Sequence, residues 1–146
     1  MYRCKHFDIR ELVPEQEYRA YGEACWWFLD VRMLMTLDAL RERYGLVVVN
    51  TWHSPVLQQH YGYRHQSGFR NRHQYASMAD YLKSHSQHKY GRAADCLIPS
   101  TTAAQVRKDV LENPDWFPLI TAIEDGVNWF HFDVRNCEPV MVFKHG

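Results

Sequence analysis

The sequence predicts an α+β domain, a small and mainly antiparallel sheet flanked by helices. Apolar residues recur at helical steps over the first part of the chain, and short β-type runs gather in the second half. The two kinds of segment do not alternate regularly enough for a doubly wound sheet. The 146 residues, with hydrophobic residues at 46% and charged residues at 23%, suffice for one domain that buries a core without disulfides.

Pro14 suits the first turn of a helix. From there to Tyr44, Trp26, Leu29, Met33, Leu37, Leu40 and Tyr44 follow at steps of three and four, which predicts one long amphipathic helix. Gly45 tolerates a left-handed cap, and Leu46 to Val49 then reads as a buried strand. From Thr51 to His85 the composition turns to histidine, tyrosine, glutamine and arginine, with one short helix expected around Tyr75 to Lys83. Ala93 to Ile98 reads as a strand. Pro99-Ser100-Thr101 introduces a helix to about Leu111, capped by Ser100 or Thr101 and broken at Asn113-Pro114-Asp115. Leu119 to Glu124 and Trp129 to Arg135 are two further strands, joined through the tight-turn dipeptide Asp125-Gly126.

Lysine plus arginine and aspartate plus glutamate each total 17, so no overall field exists to hold a polyanion, and nucleic acid is not expected as a partner. The arginines and histidines between Arg64 and Arg72 read mostly as a solvated surface loop, with a local anion-binding role as the alternative. Cys4, Cys25, Cys96 and Cys137 lack CxxC spacing and are expected to be reduced thiols. Met1 to Arg10 is polar where a signal peptide is apolar, and no run approaches the roughly 20 apolar residues of a membrane span. The expectation is a chain made in the cytoplasm without membrane insertion.

Two segments carry the chemistry: Ser86-Gln87-His88-Lys89-Tyr90-Gly91-Arg92-Ala93-Ala94-Asp95 and Trp129-Phe130-His131-Phe132-Asp133. Two imidazoles and a carboxylate are the ligand set of a catalytic zinc site with one position open, where hydroxide becomes available near neutral pH. Strand alternation puts Ala93, Asp95 and Leu97 on one face, and likewise groups His131, Asp133 and Arg135 opposite the core-type Phe130, Phe132 and Val134. His88, ahead of the turn at Gly91, can fold back over Asp95, and the small Ala93 and Ala94 leave space around the ligands. Histidine has many ordinary roles, so spacing must select among the nine present. His85 is the competitor for His88, while His53, His60, His65, His73 and His85 are expected to be mostly exposed or to line a cleft.

The pattern Ser86-x-His88-x-x-Gly91-x-Ala93-x-Asp95, followed by Trp129-x-His131, resembles the zinc-ligand signature of the M15 peptidases: D-alanyl-D-alanine carboxypeptidases, dipeptidases and phage L-alanyl-D-glutamate endolysins. The resemblance implies one Zn2+ held by His88, Asp95 and His131 in a hedgehog/DD-peptidase-like fold. That fold is shared with the hedgehog signalling domain, which keeps the zinc site without serving as a working peptidase. It extends over the long helix, the strand at Leu46 to Asn50, Ser67-Gly68-Phe69-Arg70, the ligand motif and the final hairpin, leaving residues 1–12 as an N-terminal extension.

By the same resemblance Arg70 stands near the scissile carbonyl, where a guanidinium stabilises an oxyanion; the alternative is a structural ion pair. The general base is sought among Glu124, Asp125 and Asp133. Several branches of the family place it three residues before the last histidine ligand, but Asn128 occupies that position and an amide cannot accept the proton. Other branches, to which Leu119-Ile120 up to Glu124 is similar, place a glutamate at the end of the preceding strand. An even-numbered hairpin loop would put Glu124 on the face of His131, an odd one Asp125. Asp133 either orients a ligand imidazole or pairs with Arg135. Ser86 binds substrate or caps its loop, and Trp129 walls the cleft or joins the core.

The function implied is a zinc-dependent metallopeptidase cutting peptidoglycan stem or cross-link peptides, as a D,D-carboxypeptidase or an L-alanyl-D-glutamate endopeptidase. It is expected to be monomeric and of phage or prophage origin, reaching the cell wall by phage-mediated release or within a virion. The rival is an inactive, zinc-stabilised binding or virion structural module.

Overall fold

The computed structural model describes residues 1–138 and 140–145. The single long helix is not formed. The chain makes α1 (Glu15–Tyr21), a 3-10 segment (Gly22–Phe28) and α2 (Val31–Tyr44). Gly22, at φ 53°, closes α1, and Asp30 starts α2 by accepting from the backbone N–H of Arg32. The apolar spacing concealed this break because a step of three residues suits a 3-10 turn as well as an α-helix. Trp26 and Leu29 are buried all the same, as are Met33, Leu37 and Leu40. The N-terminal residues are part of the core rather than an appendage: Phe7, Ile9 and Leu12 are buried, and the Asp38 carboxylate accepts from the amides of Lys5 and His6.

Val47, Val48 and Val49 are buried, but the expected strand reduces to one bridge between Val48 and Leu97. The polar stretch that follows contains α3 (Pro55–Tyr61), capped by Ser54 and not foreseen, and α4 (Met78–Lys83), capped by Ser77 inside the expected range. Thr51 closes the first of these loops, donating its hydroxyl to Gly62 and accepting from the amide of Arg64.

Four strands form a mixed sheet in the order β1-β3-β2-β4: β1 (Ala93–Cys96), β2 (Ala122–Asp125), β3 (Phe130–Asp133) and β4 (Met141–Lys144). The β1/β3 and β2/β3 pairs are antiparallel, and β4 lies parallel to β2. The sheet is thus mainly antiparallel in an α+β fold. The strand β4 was not foreseen, because a short, largely exposed edge strand carries no clean apolar alternation.

Before β2 runs α5 (Ala103–Glu112), capped by Thr102 rather than Ser100 or Thr101. Ser100 instead donates its hydroxyl to the Tyr44 carbonyl. One face of the sheet buries Phe130, Phe132 and Ile123 in the same cluster as Met33, Leu34 and Leu37 of α2. The opposite face carries the polar residues considered next. All four cysteines are free, and no described helix is long and apolar enough to cross a membrane.

Candidate metal centre

The register of β1 on β3 sets Asp95 directly opposite His131. An antiparallel pair brings facing side chains within about 5 Å at Cβ, and here the His131 Nδ1 lies 2.7 Å from the Asp95 Oδ1. His88 arrives from a 3-10 turn (Gln87–Tyr90) that ends at Gly91 in the left-handed region, φ 67°. A Cβ on Gly91 would lie 2.0 Å from the Phe28 carbonyl oxygen, so only glycine fits both the turn and the close approach. The His88 Nε2 is 3.3 Å from the Asp95 Oδ1. One donor atom from each of His88, Asp95 and His131 lies within 4.8 Å of the others, and all three residues are largely buried.

Both imidazoles are held from behind. The His88 Nδ1 donates to the Gly68 carbonyl at 2.8 Å, which leaves a lone pair on Nε2 toward Asp95. The His131 Nε2 lies 3.1 Å from the Asp133 Oδ2. Asp133 is fully buried and receives two hydrogen bonds from Arg135, at 2.7 and 2.6 Å. Asp133 therefore both orients an imidazole and forms an ion pair whose carboxylate end is buried. A histidine whose outer nitrogen is tied to a carbonyl or carboxylate is the usual arrangement around a bound metal. Two such imidazoles and a carboxylate form a group able to hold a metal ion.

The electrostatics agree with that use. Burial works against the charged form of Asp95, but the hydrogen bond from His131 and the neighbouring His88 imidazole outweigh it and hold the carboxyl far below the usual carboxylate range. Burial also opposes protonation of His131, yet Asp133 and Asp95 more than compensate and raise it to about 9. Burial dominates at His88 and lowers its pKa, keeping it a neutral donor. The site thus prefers positive charge between its carboxylates.

Glu124 and Asp125 are separated by the register. The pairing of Ala122 with Asp133 and Ile123 with Phe132 makes the hairpin loop even-numbered, so Glu124 shares the face of His131. Glu124 is buried, with its Oε2 4.0 Å from the His131 Nδ1. Asp125 points the other way, half exposed, 3.5 Å from the Arg107 Nε. Arg107 of α5 also donates to the carbonyls of Glu124, Val127 and Trp129, which ties the hairpin to the helix.

His88, Asp95, Glu124 and His131 line a cleft of about 250 Å³ together with Arg70, Ser86, Trp129, Phe143 and His145. The Arg70 Nη2 donates to the Asp95 Oδ2 at 3.1 Å and its Nε to the Gln66 carbonyl at 2.6 Å, so the ion-pair role of this arginine is realised within the cleft. Ser86 sits on the wall and its side chain does not cap the turn that follows. Trp129 is a cleft wall rather than core. Asn128 lies elsewhere, exposed beside a separate cavity of about 510 Å³. His60, His73 and His85 are exposed and His53 and His65 half-buried, and none of them joins the ligand group.

Two cleft residues, Phe143 and His145, were missed. They lie two apart along and just beyond β4 and so share a face, but nothing local marked that segment as a strand. The Phe143 ring packs edge-on to His131 at 5.5 Å, and the His145 Nδ1 is 2.6 Å from the Glu124 Oε1. No protein-family model, curated protein or solved structure matches the chain.

Proposed function

We propose that the chain is a zinc-dependent metallopeptidase, with His88, Asp95 and His131 as ligands and Glu124 as general base. The observation that carries this reading is a buried carboxylate, Glu124, 4.0 Å from the inner nitrogen of His131 at a three-residue N,N,O donor group. That donor set is common to catalytic zinc sites that leave a coordination position open. Zinc, when bound, supplies Lewis acidity that polarises a carbonyl and eases deprotonation of water near neutral pH.

The protein's own groups supply the rest. Glu124 takes a proton from water on its Oε2 and returns it to the departing amine. Arg70 commits Nε and Nη2 to Gln66 and Asp95, which leaves Nη1 to meet the negative charge that develops on a carbonyl oxygen. Trp129 and Phe143 supply apolar walls that orient the peptide and limit water. The substrate class, peptidoglycan stem or cross-link peptides, is supported by the likeness of the Ser86–Asp95 and Trp129–His131 pattern to M15 peptidases, as is a phage-derived role at the cell wall.

The test is metal content by mass spectrometry together with product release from soluble muropeptides, by wild type and Glu124→Gln. The expected result is one zinc per chain in both and cleavage only by the wild type. Equal release by both proteins removes Glu124 from the chemistry. Zinc in both with no release by either replaces the peptidase with a binding module.

A further inference from the structure

The C-terminal strand brings a titratable side chain to the base. Glu124 pairs with Phe143 across the parallel β2/β4 ladder, and the backbone N–H of His145 donates to the Asp125 carbonyl at 3.3 Å, which extends the pairing past β4. This seats the His145 ring at the cleft mouth, edge-on to Trp129 with centroids 5.8 Å apart. Its Nδ1 lies 2.6 Å from the Glu124 Oε1. A carboxylate only accepts, so Nδ1 is the donor.

We propose that His145 is a positioning residue for Glu124. The inference rests on the hydrolytic reading above and deepens it. Two carboxylate oxygens at the end of a flexible side chain can exchange by rotation, and the reaction needs one of them aimed at the ligand group. The hydrogen bond from His145 occupies Oε1 and turns Oε2 toward His131, at 4.0 Å. Trp129 limits the ring's sideways freedom, and the β-ladder fixes its height along the cleft. A catalytic group is productive only when its orientation is held by such partners. The base comes from the end of β2 and the group that aims it from the residue just beyond β4, so the C-terminal segment is part of the active site rather than a trailing edge.

The experiment compares zinc-loaded wild type, His145→Ala and His145→Asn on soluble muropeptides. It also uses nitrogen-15 NMR of the imidazoles in wild type and Glu124→Ala. His145→Ala is expected to lower kcat by about 10- to 100-fold, the range for loss of a partner that orients a working group. KM should change by less than about twofold, and zinc content and Tm should be unchanged. His145→Asn places an amide N–H near the Nδ1 position and should restore most of kcat. The NMR signal of His145 should report a protonated Nδ1 in wild type that is lost in Glu124→Ala.

Full activity in His145→Ala, or a fall in kcat that Asn does not restore, overturns the positioning role. A wild type that holds zinc and cleaves nothing overturns the peptidase reading instead. The NMR comparison then decides separately whether His145 holds Glu124, and a tautomer unaffected by Glu124→Ala sinks that contact.

Discussion

Asp133 shows at the level of one side chain how the centre is built. It is a carboxylate with no solvent exposure, joined to His131 on one side and doubly to Arg135 on the other. Removing it leaves a half-buried guanidinium without its partner and frees the imidazole to rotate. Asp133→Ala is expected to weaken zinc binding by about 10- to 100-fold, read by competition with a chromophoric chelator, and to destabilise the fold by about 1–3 kcal/mol. An unchanged affinity would show that Asp133 does not orient the ligand. Asp30 gives an acid-range expectation. Hydrogen bonds from Arg32 are the largest influence and lower its pKa, so its contribution to stability is complete above the unfolded carboxylate range of about 4. It fades as pH falls through the lower folded value. The Tm difference between wild type and Asp30→Asn should be present at neutral pH and close on acidification; a difference that widens in acid contradicts the sign.

Between residues and fold lie the backbone approaches that aim the ligands. Gly68 passes so close to Leu12 that a Cβ would lie 2.2 Å from its carbonyl oxygen, while its own carbonyl holds the His88 Nδ1. At Gly91 a side chain meets both a positive φ and the Phe28 backbone. Gly68→Ala is expected to cost about 1–3 kcal/mol by overpacking, and Gly91→Ala more, because the left-handed conformation adds about 1–2 kcal/mol. Both should also lower metal affinity, since each moves His88. Urea unfolding and metal titration of the two variants check this, and a stability loss with intact affinity would show that the turn tolerates the shift. The strand β4 tests the sheet edge: deletion of residues 141–146 should leave metal binding measurable while abolishing peptide cleavage, because it removes Phe143 and His145 from the cleft but no ligand.

For the molecule as a whole, binding of a metal at this site would be linked to folding. Ligands drawn from the turn before β1, from β1 and from β3 meet only in the folded chain, so a bound ion stabilises it by about 2.7 kcal/mol at a free concentration one hundred times Kd. In a domain of this size that corresponds to about 5–10 °C in Tm. Chelation should lower the Tm of wild type by this amount and leave His88→Ala unchanged; equal shifts in both would point to a different site. Much of the centre was legible beforehand. His88, Asp95 and His131 stood out because they fill the ligand positions of the M15-like pattern, with a tight turn and strand alternation making their convergence feasible, and the same likeness favoured Glu124, which only the observed register separates from Asp125. The helix break at Gly22 was hidden by a spacing common to two helix types. Phe143 and His145 were invisible because an exposed edge strand has no periodic signature.

Local covalent geometry alone determined which side chains share a face of each strand and which glycines the turns require, because alternation and backbone sterics act within a few residues. Which strands became neighbours was decided by tertiary packing. The pairing of β2 with β4, the facing of Asp95 and His131 across β1 and β3 and the meeting of His145 with Glu124 depend on contacts between distant segments, whose free energy no short stretch of sequence contains.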